Sequence, residues 1–310
     1  MISAKVICDS ISPSGVRLTT MELNYHRFIH AEAKTHRILS LDDEEYEIVL
    51  KQDVDLMDDP MLSRNASSSR AIPVEKMIAA VSSSPAMPVH WGKNQAGMQA
   101  REEVECPPLA QDVWKYASEL AVDRAYELKD LDTHKQIVNR ILEPFQWIKV
   151  IVTATEWDNF FKLRLHKDAQ PEMMVLAEHM KKAMDESIPV ELHPGEWHLP
   201  FLVESSGNLE DDIKCSVARC ARIAVLKHDG THPSIEDDLK LYNRLVGSSP
   251  EHASPCEHIA TPMDFAKDTF ELAWENGVTH KDRDNNFWSG NFRGFLQYRK
   301  ILEDTNWGRP

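Results

Sequence analysis

Hydrophobic and polar positions change period several times along the chain. Residues 4–9 and 16–23 are rich in β-branched and apolar side chains, and Ser12-Pro13-Ser14-Gly15 separates them. That pattern predicts a hairpin. From about residue 26 to 40 the spacing becomes helical. An acidic stretch, 41–63, follows, with Asp59-Pro60 near its end. Residues 67–80 predict a resumed helix, with Pro73 in its first turn. Residues 82–108, rich in Ser, Pro and Gly, read as a loop.

The spacing predicts an amphipathic helix over 110–129, with Val113, Trp114, Ala117, Leu120, Ala121 and Ala125 on one face. Thr133 is placed to cap a helix running to about Leu142, which Pro144 ends. Residues 145–153 form an apolar, β-branched run and predict a strand. Helices are expected at 156–165 and 171–185. The second carries a stripe of Met173, Leu176, Ala177, Met180, Ala183 and Met184, read as core packing. Residues 186–210 look irregular, and helices are expected at 212–221, 234–246 and 291–302. With no internal repeat, low-complexity tract or flexible linker, the simplest account is one α+β domain over 1–310.

The 310 residues, 42% hydrophobic and 27% charged, suit an ordinary soluble protein. No apolar run approaches the ~20 residues of a membrane span, and the N-terminal segment lacks a signal peptide's apolar region. A cytoplasmic location without membrane association is expected. The net charge of −15 argues against a nucleic-acid surface. Residues 41–63 hold nine acids and one lysine, so they supply −8 of it. The five cysteines form no C-x-x-C pair and read as thiols. His193 and His198, in His-Pro-Gly-Glu-Trp-His, read as structural rather than as metal ligands.

The chemistry sits in a motif cut in two. Thr35-His36-Arg37-Ile38-Leu39-Ser40 stops at the acidic stretch, and the text resumes at Leu62-Ser63-Arg64-Asn65-Ala66-Ser67-Ser68-Ser69-Arg70-Ala71-Ile72-Pro73. Guanidinium forks and serine hydroxyls suit phosphate oxygens, so Ser67, Ser68, Ser69 and Arg70 could form a phosphate cradle. A helix cap flanked by solvated arginines is the competing reading.

Joined across 41–63, the motif reads H-R-x-x-S-x-N-x-x-S-x-R. It resembles the signature of the flavin-dependent thymidylate synthases (the ThyX family). A second stretch, N-F-F-x-L-R-x-x-x-x-A-Q-x-E over 159–172, is similar to the family's second motif. Arg140-Ile141-Leu142-Glu143-Pro144 resembles its R-x-x-L-P, with the spacing off by one. A third similarity lies late in the chain: Ala218-Arg219-Cys220-Ala221-Arg222-Ile223-Ala224, then His252-Ala253-Ser254-Pro255-Cys256-Glu257-His258. In the family these segments come first, so the order looks circularly permuted. Bacteriophage-encoded members look similar, with blocks like Trp91-Gly92-Lys93-Asn94-Gln95 and Gly290-Asn291-Phe292-Arg293-Gly294.

The resemblance implies an α+β fold with an antiparallel sheet and packed helices, and a homotetramer with shared active sites. It implies FAD as cofactor, dUMP as substrate, methylenetetrahydrofolate as carbon donor and NADPH as reductant, giving dTMP in the cytoplasm (the host's, for a phage-encoded protein). Arg164 would contact and help ionise the uracil. Ser67, Ser68, Ser69, Arg70 and Arg140 would bind the nucleotide, and His36, Arg37, Asn65, Asn159 and Ser254 the flavin. No metal is implied. Protein tasks of this kind are binding, orientation and charge stabilisation.

The chain departs from the family at Thr35, Glu32, Ala66, Thr153 and Thr155, each replacing a polar or charged residue. Those losses keep two alternatives open: a related flavoenzyme that hydroxymethylates dUMP or modifies dCMP, and a non-catalytic nucleotide-binding homologue. The acidic insertion 41–63 reads either as a solvated excursion or as a lid or subunit contact using Tyr46, Ile48, Val49, Leu50, Leu56 and Met57.

Overall fold

The computed structural model describes residues 1–31, 49–50, 63–97, 100–226, 230–248, 252–264 and 274–306. Glu32, Thr35, His36, Arg37 and most of the acidic insertion lie outside the described residues.

The predicted hairpin forms. Strand β1 (Ser3–Ile11) pairs antiparallel with β2 (Arg17–His26), from Ser3↔Asn24 to Ile11↔Arg17, with a register shift between Val6 and Cys8. Gly15 closes the turn at φ +81, a conformation that other residues rarely adopt. The short β3 (Val49–Leu50) belongs to a second sheet, and β4 (Ser63–Ala66) belongs to the first. There β4 pairs antiparallel with β5 (Trp147–Ala154), which pairs antiparallel with β2. With β6 (Val190–Glu191) running parallel to β1, the order is β4-β5-β2-β1-β6.

Both faces of this sheet are covered, which explains why β5 reads as a continuous apolar run. Alternation sends Ile148, Val150, Val152 and Ala154 to one face. There they meet Met21, Leu23 and Tyr25 of β2, the aromatic group Trp157, Phe160 and Phe161, and Met173, Leu176, Ala177 and Met180 of the helix Pro171–Asp185. The methionine stripe is therefore core, as its spacing predicts. Ile151 points to the other face, against Ile213, Val217 and Cys220 of the helix Leu209–Arg222. Thr153 shares that face, a hydroxyl in an apolar layer.

The C-terminal third supplies β7 (Ala260–Pro262), β8 (His280–Lys281), β9 (Phe287–Ser289), β10 (Phe292–Arg293) and β11 (Phe295–Gln297). They form a sheet ordered β10-β9-β8-β3 and the pair β11-β7. Among the described residues, no helix is long and apolar enough to cross a membrane.

Four expectations need correction. The cap of the helix Lys135–Ile141 is His134, whose Nδ1 accepts from the Gln136 amide at 3.3 Å, and not Thr133. Residues 63–66 are a strand and 67–72 a turn; the helix starts only at Val74, directly after Pro73, and runs to Ser83. Four polar residues become a strand because the open edge of β5 pairs with them. The long helix spans Pro107–Asp130, and its packed face shares Trp114, Ala121 and Ala125 with the predicted one but is rotated from it. Trp114, Ala121, Val122, Ala125 and Leu128 pack inward, while Val113 and Leu120 are exposed. Finally, 291–302 is not one helix: Gly290 and Gly294, both at positive φ, bracket β10, and the helix is Tyr298–Asn306.

Candidate functional site

Strand β4 brings the second half of the split motif onto the strand that leads into the second motif. Ser63 lies opposite Thr153 and Ala66 opposite Val150. Pairing continues into the turn, where the Ser67 amide donates to the Lys149 carbonyl at 2.9 Å. Opposed residues on paired strands share a face. Ser63 and Asn65 therefore join Ile151 and Thr153, while Arg64 joins Val152.

The turn after β4 is pinned from below. Asn139, on the helix Lys135–Ile141, donates to the carbonyls of Ser69 at 2.7 Å and Ile72 at 3.0 Å. Lys135 Nζ donates to the Ala71 carbonyl at 3.2 Å. Arg140 is therefore on the helix that holds the turn, and Arg70 is on the turn itself. Both are exposed, and no described ion pair or hydrogen bond holds either side chain. Ser68 is exposed beside them.

The other two serines are engaged. Ser69 is buried and donates to Glu143 at 3.1 Å, while Arg27 donates to the same carboxylate at 3.0 Å. The Ser67 hydroxyl accepts from the Lys149 amide at 3.3 Å. The exposed members of the set are thus Ser68 and Arg70, on a turn rather than at a helix start, and Arg140, on the helix that holds the turn.

Arg164 ends the helix Asp158–Arg164, which Phe160 and Phe161 anchor in the core. Its side chain is half-buried, and its Nε is enclosed without a hydrogen-bond partner among the described residues. Asn159 sits half-buried in the first turn of the same helix. Downstream, the motif's Glu172 is buried and accepts from the Val89 amide at 3.0 Å, tying the helix Pro171–Asp185 to the 82–108 loop. No described contact links Arg164 to Ser68, Arg70 or Arg140.

The late segment also reaches β4 and β5. Ser254 to His258 form a 3-10 helix, with Ser254 exposed and His258 fully buried. Gln297 Nε2 donates to Ser63 Oγ at 3.2 Å and to the Glu257 carbonyl at 3.3 Å, and Ser63 donates to Asn291 Oδ1 at 3.0 Å. Residues far apart in the chain therefore meet around Ser63. Thr155 accepts from the Arg293 amide at 3.1 Å, and Arg293 Nε donates to Glu156 at 2.6 Å. Thr153 bonds Thr20 Oγ1 at 2.7 Å and His258 Nδ1 at 2.8 Å. Thr153 and Thr155, two of the departures from the family pattern, are thus held inside the protein.

The structure links two histidines whose connection the sequence does not show. His198 is buried between Ser10, 2.8 Å from Nδ1, and Thr20, 2.7 Å from Nε2. Burial pushes His198 and His258 down to about 3, so both are neutral at ordinary pH. The motif containing His258 was visible in the sequence, but its spacing does not show which residue is enclosed. No group of His, Cys, Asp and Glu among the described residues could hold a metal.

The arginines of the 218–224 segment are occupied structurally. Arg219 Nε donates to Asp238 at 2.9 Å and Arg219 Nη1 to the Phe201 carbonyl at 3.1 Å, while Arg222 pairs with the other oxygen of Asp238. Asp238 is fully buried. Asp238→Ala is expected to destabilise the protein by about 3–5 kcal/mol, because it strands two guanidiniums without their counter-charge. Urea denaturation measures this; a change under about 1 kcal/mol would contradict it.

No family model matches the chain, and no curated protein matches it. Among solved structures, the UMP/dUMP methylase PolB from Streptomyces cacaoi bound with 5-Br UMP is similar at 15% identity and a TM-score of 0.43, over 60% of this chain and 89% of that one. The same enzyme bound with 5-Br dUMP is similar at 12% identity and a TM-score of 0.42, over 60% and 91%. Likeness at this level carries no function across.

Proposed function

We propose that the chain is a flavoenzyme that reductively methylates dUMP to dTMP, with FAD as cofactor, methylenetetrahydrofolate as carbon donor and NADPH as reductant. One observation supports this most. Buried polar atoms without a hydrogen-bond partner among the described residues cluster on the three segments that resemble the family: Asn65 Nδ2, Arg164 Nε, Gln170 Oε1, Arg222 Nε and His258 Nε2. Elsewhere the described residues add His26 Nδ1 and Asn139 Oδ1. Native proteins leave few such atoms, because each costs about 1–3 kcal/mol. A bound ligand rich in carbonyl and phosphate oxygens would satisfy Asn65 Nδ2 and Arg164 Nε, whereas Arg222 is already held by Asp238.

Under this reading Ser68, Arg70 and Arg140 hold the nucleotide phosphate through charge-assisted bonds. Arg164 stabilises negative charge on the pyrimidine ring. Asn65, Asn159 and Ser254 face the flavin, with His36 and Arg37 completing that set. Reduced FAD supplies hydride chemistry when bound. The active unit is a homotetramer in which neighbouring subunits complete each site, and the late position of the third segment reflects circular permutation.

The test is the visible absorption spectrum of the purified protein, followed by turnover. A flavin spectrum that NADPH bleaches, with dTMP formed from dUMP, is expected. Running dCMP alongside and weighing the product separates methylation from hydroxymethylation. A colourless protein that takes up no added FAD would overturn the proposal. The internal bonding of Thr153 and Thr155 favours a second reading, a nucleotide-binding homologue that has lost its flavin, and a colourless protein that still binds dUMP would establish it.

A further inference from the structure

A file of buried hydrogen bonds crosses the central sheet: Ser10 Oγ to His198 Nδ1, His198 Nε2 to Thr20 Oγ1, Thr20 Oγ1 to Thr153 Oγ1, and Thr153 Oγ1 to His258 Nδ1, all between 2.7 and 2.8 Å. Each threonine has one hydroxyl proton and two partners, so it gives one bond and accepts one. A neutral imidazole has one N–H and one lone pair. The file therefore runs in one of two directions as a unit. In the first, Ser10 donates to His198, and every bond passes onward until Thr153 donates to His258 Nδ1, leaving Nε2–H a donor. In the second, His258 Nδ1–H donates to Thr153, every bond reverses, His198 Nδ1–H donates to Ser10, and His258 Nε2 is an acceptor.

That last nitrogen is where the file ends. His258 is fully buried, and its Nε2 has no hydrogen-bond partner among the described residues. Asn65, whose Nδ2 is also without one, shares the sheet face. It is one diagonal position from Thr153, roughly 7–8 Å away.

We propose that His258 is a ligand-contacting residue whose Nε2 accepts the imide N–H of a pyrimidine-type ring, and that Thr153, Thr20, His198 and Ser10 are positioning residues that fix its tautomer. An imide edge, N–H between two carbonyls, matches an accepting Nε2 together with a donating Asn65 on the same side of the sheet. Both uracil and the pyrimidine ring of a flavin carry that edge. The inference rests on the function proposed above and selects the second direction of the file.

The test uses the full chain labelled with ¹⁵N-histidine, long-range ¹H–¹⁵N spectra, and dUMP or FAD added separately while calorimetry reports binding. A ligand at this place shifts His258 Nε2 and moves His198 to the Nδ1–H tautomer together. Response to dUMP alone assigns the edge to the nucleotide, and response to FAD alone to the flavin. Thr153→Val is expected to weaken that ligand about tenfold and to uncouple His198 from it, with Thr153→Ser restoring both. Binding with both histidines unchanged would overturn this inference and leave the proposed function standing. Binding of neither ligand would overturn both. If Thr153→Val fails to fold, the wild-type spectra decide alone.

Discussion

Under the proposed function, Arg164→Ala is expected to lower turnover of dUMP by at least about a hundredfold while leaving the fold intact. Removing one well-placed donor or charge from a developing anion typically costs that much. The fold should survive because the helix Asp158–Arg164 is held by Phe160 and Phe161, which pack with Trp157 in the core, and not by its last residue. The guanidinium makes no hydrogen bond through Nε to any described residue, so its removal breaks no internal bond at that atom and relieves a buried donor. Arg164→Lys separates charge from shape. It keeps the positive charge but loses the planar fork, so it should recover only part of the activity. The measurements are kcat with dUMP and the thermal midpoint of each variant. Full activity in Arg164→Ala would break the assignment of the second motif.

The same contrast explains what the sequence made legible. The hairpin β1–β2 and the helix Pro171–Asp185 follow from local pattern: a Ser-Pro-Ser-Gly turn and a methionine stripe at helical spacing. Their outlines needed no distant partner. Strand β4 did. Ser63-Arg64-Asn65-Ala66 has no strand pattern of its own, and only the edge of β5 extends it. The long helix Pro107–Asp130 shows the limit of periodicity. Both of its faces carry apolar residues, and the partners around Trp114 and Ala125 choose between them. At the site, the residue types of the split motif were plain. Their division of labour was not: Ser69 is committed to Glu143, and Ser68 is open. His198 was read as structural, and its two ring bonds agree with that. Its connection to His258 was invisible because it runs through threonines on two other strands.

Acid is expected to unfold this protein well above the range in which carboxylates titrate. His198 and His258 ordinarily titrate near 6.5, and burial takes both to about 3 in the folded state. Asp9 pulls His198 slightly upward, and His198 pushes His258 further down, but desolvation dominates each. The folded pKa values are depressed, so the full stability is present above pH 6.5. As pH falls below that, the unfolded chain takes up protons that the folded chain refuses, and stability is lost progressively down to about pH 3. Each histidine loses about 1.4 kcal/mol per pH unit in that window. Between pH 6 and pH 4 the pair loses roughly 5 kcal/mol, which is comparable with the whole stability of a marginal domain. Asp282 separates the windows. Burial pushes its pKa up, but bonds from Trp288 and Asn286 outweigh that and hold it below 3.8. Its contribution therefore disappears only at lower pH. Urea titrations at half-unit steps from pH 7 to 4 should show a slope approaching two protons near pH 5. A slope near one proton would mean that one of the two imidazoles is protonated in the folded protein, and a flat profile that both are; in either case the hydrogen-bond file joining them could not be neutral throughout.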